Sequence, residues 1–407
     1  MADCIVIGGG PSGLMAAEYL SAHGQRVTVC DRMPSVGRKL LIAGRGGLNL
    51  THSEPFEMFV TRYGDRAAWM RPLLEKFPPE ALVAWANGLA QETFVGSSGR
   101  IFPKSLKASP LLRAWLRRLS DQGVVFETRL TWQGWDSRGE LLFRDADGDE
   151  KRRAAAAVVL ALGGASWPKL GSRAEWVPFL EQRGVKVNPF RPANCGFNVA
   201  WSAPMRERFA GQPLQGAAYS FEGLRVRGES VISGYGIEGG AIYALSARLR
   251  DAIALHGTAT LHVDLRPEMP LADVHRKLLR LRAGDSLSNG LRKSLNVAPV
   301  AVNLLREAFG NELGTDAAVL ARRVKDVPLV LTGVQGLERA ISSAGGVSTD
   351  EMGADLMLKK MPGVFVAGEM LDWEAPTGGY LLQACFAQGV VAAMGVLARF
   401  GDPPESR

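Results

Sequence analysis

Residues 3–20 read DCIVIGGGPSGLMAAEYL, an apolar run that breaks on glycines and resumes with helical spacing. CIVIG has the composition of a fully buried parallel strand, and LMAAEYLSAHG that of a helix ending on Gly24. RVTVCD then reads as a second buried strand closing on an acid, which completes a β-α-β unit. The turn inside that unit carries Gly8, Gly10 and Gly13 in G-x-G-x-x-G spacing, with Pro11 and Ser12 opening the helix. Gly8 makes the tight turn, Gly10 admits a pyrophosphate to the backbone, and Gly13 lets helix and strand close up. The free N–H groups and dipole at the helix start favour the diphosphate charge. Asp31, 18 residues beyond Gly13, stands where a carboxylate accepts a ribose hydroxyl, and Arg32 follows it in the same candidate site. Strand, turn, helix and acid together predict a dinucleotide. They do not yet separate nicotinamide from flavin.

The totals bound the rest. At 407 residues two or three domains are expected, and 46% apolar with 22% charged residues describes a globular protein rather than a disordered one. The net charge of +7 is compatible with nucleotide, acidic or RNA partners and selects none. Basic clusters at Arg113, Arg117 and Arg118, and at Arg276, Lys277, Arg280 and Arg282, read first as solvated helix faces. Four cysteines without a C-x-x-C and five scattered histidines argue against a metal site, and buried free thiols suit a reducing cytoplasm. A strand begins almost at residue 3, leaving no room for a signal segment. LLQACFAQGVVAAMGVLARF, interrupted by Gln383 and Gln388, is read as a buried helix in preference to a membrane span.

Residues 56–120 look mostly helical, and GVVFETRL, ELLFRDADG and AAAAVVLALGG look like strands. From about Pro192 shorter alternating runs flank helical stretches at 272–282 and 297–309, the texture of a mixed α+β insert. Buried-strand texture returns near Ala344. The expected boundaries are 1–190 and 343–400 for a nucleotide-binding domain in two segments, 191–342 for a substrate-side insert, and 401–407 for a frayed tail.

A second G-x-G-x-x-G, at Gly234, Gly236 and Gly239, precedes a helical pattern and lies 25 residues before Asp264. It leaves two readings open: an insert loop and helix start facing the active site, or a nicotinamide site. The C-terminal region discriminates further. VFVAGEMLD is a buried strand ending on Gly368 and Glu369, an acid of the kind that meets ribityl hydroxyls in two-part FAD folds. Gly378 and Gly379 then open a helix whose N-terminus can face the flavin pyrimidine edge, where negative charge develops on reduction. A simple NAD domain has no use for this return, whereas FAD does.

Taken in order, IGGGPSGLMAAEYL, GRKLLIAGRGGLNLTH, GRIFPKSLKA, LALGGASWPKLGS and AGEMLDWEAPTGGYLLQACFAQG resemble the BaiN/YhiN-like flavoproteins. That group is also labelled aminoacetone oxidase family FAD-binding enzymes or NAD(P)/FAD-dependent oxidoreductases. The resemblance runs from the first strand to about residue 399. It implies an α/β fold, a Rossmann-type, glutathione-reductase-like FAD-binding domain interrupted by an α+β insert. By position it makes Arg38, Lys39 and the backbone around Gly46, Gly47 and Asn49 flavin or pyrophosphate contacts. Gly163 and Gly164 become a second turn near the adenosine half, and Leu130 a source of backbone groups for adenine. Relatives commonly carry Cys where this chain has Gly47-Leu48 and Asn where it has Leu381, and the family's Thr-His-Phe-Gly-type insert segment appears as SGYGIEGGAIY. These departures touch substrate identity and any thiol role, and leave the FAD expectation in place.

Three chemistries follow: an NAD(P)H-fed reductase of an activated C=C bond, a flavin oxidase or dehydrogenase of a small amine or alcohol, and, implied by family members, a ribosomal RNA dihydrouridine synthase. A non-catalytic, FAD-stabilised scaffold is the alternative outside enzymes. A small-molecule substrate is expected, RNA stays open, and interleaved aromatic and basic strands that read RNA are not evident. A C=C reductase needs a proton donor. Tyr235, Glu238 and Tyr380 are the candidates, each beside a glycine-rich turn.

Overall fold

The computed structural model describes residues 3–44, 46–281 and 286–401. The chain divides into two compact units, Met1–Arg191 with Ser342–Arg407, and Pro192–Ile341.

The first unit is built on five parallel strands: β1 (Asp3–Ile7), β2 (Arg26–Asp31), β3 (Val125–Thr128), β4 (Ala157–Leu160) and β5 (Val364–Val366). Their order is β5-β4-β1-β2-β3. The register sets Ile7 beside both Cys30 and Leu160, and Leu160 beside Val366. β4 and β5 are buried along their whole length, and β1 everywhere but Asp3, as a parallel sheet covered on both faces requires. Helix α1 (Pro11–Ala22) begins with Gly10 as N-cap and proline in its first turn, and it buries Leu14, Met15, Ala16, Ala17 and Leu20. It stops where Gly24 turns left-handed, at φ +76°. Helix α2 (Arg38–Ala43) is short, entered through a left-handed Gly37.

Helix α3 (Tyr380–Arg399) is long and apolar enough to cross a membrane by length and composition, yet 72% of its apolar window is buried inside the protein. The two glutamines that interrupt it each bridge to another element. Gln388 Oε1 accepts the Gly368 N–H at 2.7 Å, and Gln383 Nε2 donates to the Phe77 carbonyl at 2.7 Å. Phe386 sits 5.0 Å from Trp85 and 5.3 Å from Trp115, ring centre to ring centre. A Cβ on Gly389 would overlap the Ser12 carbonyl, so glycine there sets how closely α3 lies on α1. Residues 56–121 contribute four helices, but they are joined by a small antiparallel sheet of Thr51–His52, Arg100–Pro103 and Thr93–Val95 that helical periodicity does not reveal.

The second unit holds a seven-stranded antiparallel sheet, in the order Val327–Leu331, Ala259–Asp264, Pro213–Phe221, Leu224–Ile232, Gly236–Glu238, Phe197–Asn198, Gly333–Val334. Helices Leu271–Leu278 and Pro299–Phe309 fall where helical texture was read, and Leu287–Leu295 and Ala317–Lys325 are additional. The additional helices begin on side-chain caps, Ser286 and Asp316. Arg282, and the tail beyond Gly401, lie outside the described residues.

The second glycine cluster corrects one of its two readings. Gly236 opens a strand paired antiparallel on both sides, and a Cβ there would overlap the Phe197 carbonyl. The helix that follows spans only Gly240–Tyr243, and Asp264 ends an antiparallel strand, held by Arg225 at 2.6 Å and Lys325 at 2.8 Å. Without a parallel strand, a crossover helix or a free acid, no nicotinamide Rossmann turn is built here.

Candidate functional site

A cavity of about 360 Å³ lies in the first unit at the carboxyl ends of all five strands. It is lined by Gly8 to Ser12 after β1, Asp31 to Met33 at the end of β2, Leu130 to Gln133 after β3, Ala161 to Gly163 after β4, and Ala367 to Glu369 after β5. That is where open α/β sheets bind ligands, because the loops there diverge and helix N-termini point inward.

The glycine turn separates into two kinds of glycine. Gly8 is left-handed, at φ +108°, and a Cβ would overlap the Ala161 carbonyl. A Cβ on Gly13 would overlap the Gly8 carbonyl and crowd Val6 and Ala161 at 3.1 and 3.2 Å. Gly10 is different. It has extended backbone, φ −84° and ψ −178°, and a Cβ there meets nothing within 4 Å. The protein's own packing therefore demands glycine at 8 and 13, while position 10 opens on the cavity.

Asp31 fastens this turn. Its Oδ2 accepts the Gly9 N–H and its Oδ1 the Met33 N–H, each at 2.7 Å. Burial raises its pKa, opposed by those two hydrogen bonds. Arg32 reaches Glu175 at 2.6 Å, and the Leu130 N–H donates to the Asp31 carbonyl at 3.0 Å, which leaves only the Leu130 carbonyl for a ligand. Gly163 also borders the cavity, and its carbonyl accepts the Trp176 indole N–H at 3.0 Å. Gly164 lies behind it, pressed against Ser343.

The cations come from α2. Lys39 Nζ donates to Glu369 Oε2 at 2.5 Å and to Ser166 Oγ at 2.8 Å, so the acid after β5 is tied to the helix after β2. Among the described residues Arg38 makes one long bond, 3.3 Å to Ser35 Oγ, and its buried Nε has no partner there. Gly368 is left-handed over Ser12, and Cys385 completes this wall with a thiol pushed up to about 12, chiefly by burial.

Elsewhere in the same unit the Gly378–Gly379 turn lies on the Thr51 backbone, two residues past Asn49. Gly378 and Gly379 are at φ +139° and +95°, and a Cβ on Gly379 would drive into the Thr51 backbone. Gly47 is left-handed at φ +107°, a Cβ on Gly46 would meet nothing within 4 Å, and the buried Asn49 Oδ1 has no partner among the described residues. Tyr380 is held at both ends: its OH donates to Glu54 Oε1 at 2.6 Å and its carbonyl accepts from Tyr63 OH at 2.8 Å. Arg62 forks onto Glu54 at 3.0 and 2.6 Å. Burial raises the Glu54 pKa, but the bonds from Arg62 and Tyr380 outweigh it and the net shift is downward. Burial, then Glu54, pushes the Tyr380 phenol well up.

In the second unit Tyr235 donates to Glu238 at 2.6 Å, beneath the Arg339 guanidinium at 5.3 Å from its ring centre. Its pKa is likewise raised, by burial first and Glu238 second. Each candidate phenol thus donates to a carboxylate and has a guanidinium over its ring, Arg62 lying 5.9 Å from the Tyr380 ring centre. The sequence reading did not include Glu54, Arg62, Glu175 or Arg339. Glu54 and Arg62 stand eight residues apart at the two ends of the short helix Phe56–Thr61, a spacing no motif marks, and Arg32 and Glu175 are 143 residues apart.

The donor set suits a flavin dinucleotide. An open glycine at the N-terminus of a 12-residue helix, a cation with an unpartnered buried Nε, and an unpartnered buried amide oxygen are the groups a pyrophosphate and a flavin ring edge engage.

The family model described as "HI0933-like protein Rossmann domain" matches residues 2–395. A 3-dehydro-bile acid delta(4,6)-reductase of Clostridium scindens is 27% identical over 97% of this chain and 98% of its own length. A ribosomal RNA dihydrouridine synthase of Escherichia coli is 23% identical over 97% of this chain and 98% of its own. Among solved structures, the 3-ketosteroid delta1-dehydrogenase of Sterolibacterium denitrificans is similar at a TM-score of 0.55 and 14% identity, covering 98% of this chain and 99% of that one. That likeness is one of fold.

Proposed function

From the premise that the chain belongs to the HI0933-like Rossmann flavoprotein family and is an FAD-dependent oxidoreductase, we propose that it reduces a C=C bond conjugated to a carbonyl, with NAD(P)H as electron donor. The observation that carries this reading is the full-length similarity to a delta(4,6)-reductase. The second named relative points to the same chemistry, because the uracil C5=C6 bond that becomes dihydrouridine is also conjugated to a carbonyl.

FAD, when bound, supplies the hydride. The chain's residues supply the rest. The α1 N-terminus with Gly10, and Arg38 beside it, hold the diphosphate. Lys39 and Glu369 hold one another in register, so the acid would be offered in one orientation to the ribityl hydroxyls. The Gly378–Gly379 turn, clamped through Tyr380 to Glu54 and Tyr63, would offer the N-terminus of α3 to the pyrimidine edge. Addition of a hydride to the β-carbon of an enone leaves an enolate whose α-carbon takes a proton. Tyr235 and Tyr380 are the donors we assign, since each phenol, its pKa raised by burial and by the carboxylate it bonds, stays protonated throughout the neutral range.

RNA as the substrate is favoured by that second relative and by one feature of the chain itself. Arg266, Arg276, Lys277 and Arg280 line a second cavity, about 390 Å³, in the second unit. Glu268 and Asp273 share that lining, and both basic clusters are partly taken, Arg276 by Asp273 at 2.6 Å and Arg118 by Glu18 at 2.9 Å.

The test is anaerobic stopped-flow absorbance near 450 nm of FAD-loaded protein mixed with NADH or NADPH, followed by either a conjugated ketosteroid or a uridine-containing ribosomal RNA fragment. Bleaching by nicotinamide and recovery with one of the two substrates is expected. Absence of bleaching would overturn the nicotinamide-fed reading and direct attention to substrate-derived electrons.

A further inference from the structure

We infer that the Arg32–Glu175 ion pair is a latch across the dinucleotide cavity, one that sets how fast the cofactor enters and leaves. The inference rests on the FAD reading above.

Strand order places the pair. β2 and β4 lie on opposite sides of β1, and the glycine turn leaves β1 between them. Arg32 follows β2, Glu175 belongs to the segment after β4, and both line the cavity along with Gly8 to Ser12. Their bond, Arg32 Nη1 to Glu175 Oε2 at 2.6 Å, therefore joins two walls of the cavity across the carboxyl end of β1. The same walls meet at Gly171, where a Cβ would press on the Met33 side chain at 3.1 Å.

The segment that carries Glu175 is a short arch between two buried anchors. Ser172 Oγ donates to the Gly164 carbonyl at 2.8 Å, and Trp176 Nε1 donates to the Gly163 carbonyl at 3.0 Å. Between them Arg173 and Glu175 are exposed, and Ala174 is left-handed at φ +55°. Strained backbone of this kind persists where its surroundings over-determine it, and it clusters at ligand clamps. Here it immediately precedes the carboxylate that reaches Arg32.

The bond is also built to break and re-form. The Arg32 and Glu175 side chains are 28% and 53% exposed, so the pair adds little to folding and opens without burying a bare charge. When Arg32 lets go, Glu175 keeps a cation of its own wall: Arg173 lies on it at 3.4 Å and is tied by Nε to the Pro168 carbonyl at 3.1 Å. Burial raises the Glu175 pKa, but the bonds from Arg32 and then Arg173 outweigh it and the net shift is downward, which leaves the carboxylate ionised through the neutral range.

The experiment measures FAD entry and release on the full chain by stopped-flow flavin fluorescence, release being read on dilution of the loaded protein. A latch made between the chain's own atoms has to open for passage in either direction. Breaking it speeds both rates by one factor and leaves the dissociation constant as it was, whereas losing a side chain that holds the ligand changes the constant. Glu175→Gln and Arg32→Met should each raise both rates about twofold to fivefold, the worth of an exposed ion pair, and the two together should add nothing further. The single changes move net charge in opposite directions, so steering of the anionic cofactor by charge alone would send their association rates apart. Unchanged rates, association rates that part in opposite directions, or weaker binding at an unchanged association rate would overturn the inference while the FAD reading stands. A parent chain that takes up no FAD overturns the reading and the inference together.

Discussion

Replacing Gly10 by valine should abolish flavin binding without unfolding the protein. The Cβ position at residue 10 is clear for 4 Å, and φ −84° with ψ −178° suits a β-branched residue. Replacing a glycine N-cap by valine costs on the order of 0.5–1 kcal/mol, and the stiffer unfolded chain returns about 0.4–1 kcal/mol, so the apoprotein should stay within about 1 kcal/mol of the parent. Gly13→Ala is the control. Its Cβ would overlap the Gly8 carbonyl, which the tight turn holds in place, a strain of up to about 3 kcal/mol set against about 1 kcal/mol of helix propensity, so about 2 kcal/mol should be lost. At FAD one hundred times its dissociation constant the parent gains about 2.7 kcal/mol, roughly 5 °C in Tm for a unit of this size. Thermal melts with and without FAD read all three proteins. The expected pattern is a parent that shifts, a Gly10→Val chain that melts with the apo parent and does not shift, and a Gly13→Ala chain that melts early. A Gly10→Val apoprotein that melts as early as Gly13→Ala, or that remains yellow and shifts like the parent, would refute the reasoning.

Lys39→Met should cost about 1–3 kcal/mol in urea unfolding, because Glu369, with a side chain 13% exposed, loses its cation; adding Glu369→Gln should recover most of it. Glu54 has a depressed pKa, so the unfolded chain binds its proton more readily and stability rises with pH through the carboxylate range. The Tm advantage of the parent over Glu54→Gln should accordingly be full above the ordinary carboxylate pKa and disappear as pH falls below it. Tyr235→Phe should lower turnover of the C=C substrate by about 10²–10⁴ while leaving the rate of nicotinamide bleaching unchanged, and equal loss in both half-reactions would remove Tyr235 as a proton donor.

What sequence made legible was local or strongly periodic. The β-α-β unit announces itself through buried runs and a helix start, and the strands that β4 and β5 became are apolar without interruption. The second glycine cluster shows the limit. Its spacing equals that of the first, but what surrounds it is an antiparallel sheet, and spacing alone carries no strand direction. Asp31 shows another: position identified an acid near the turn, but not that both its oxygens would fasten backbone N–H groups. Glu175 and Glu54 were illegible because their partners are brought to them by a return loop and a clamp. Those are long-range arrangements that no window of neighbouring residues contains.

The close seat of α3 on α1, made by Gly389 against Ser12, also bears on how the chain is made. The glycine turn is synthesised first, but the helix it rests on follows roughly 370 residues later, some 20–75 s at ribosomal speeds. Through that interval β1, β2 and β4 lack β5, and α1 lacks its cover, while Pro192–Ile341 has its whole sequence in hand and can complete first. The nascent nucleotide-binding unit is therefore an unfinished core carried through synthesis by its own insert. Premature stops anywhere before α3 should yield aggregated rather than merely inactive protein.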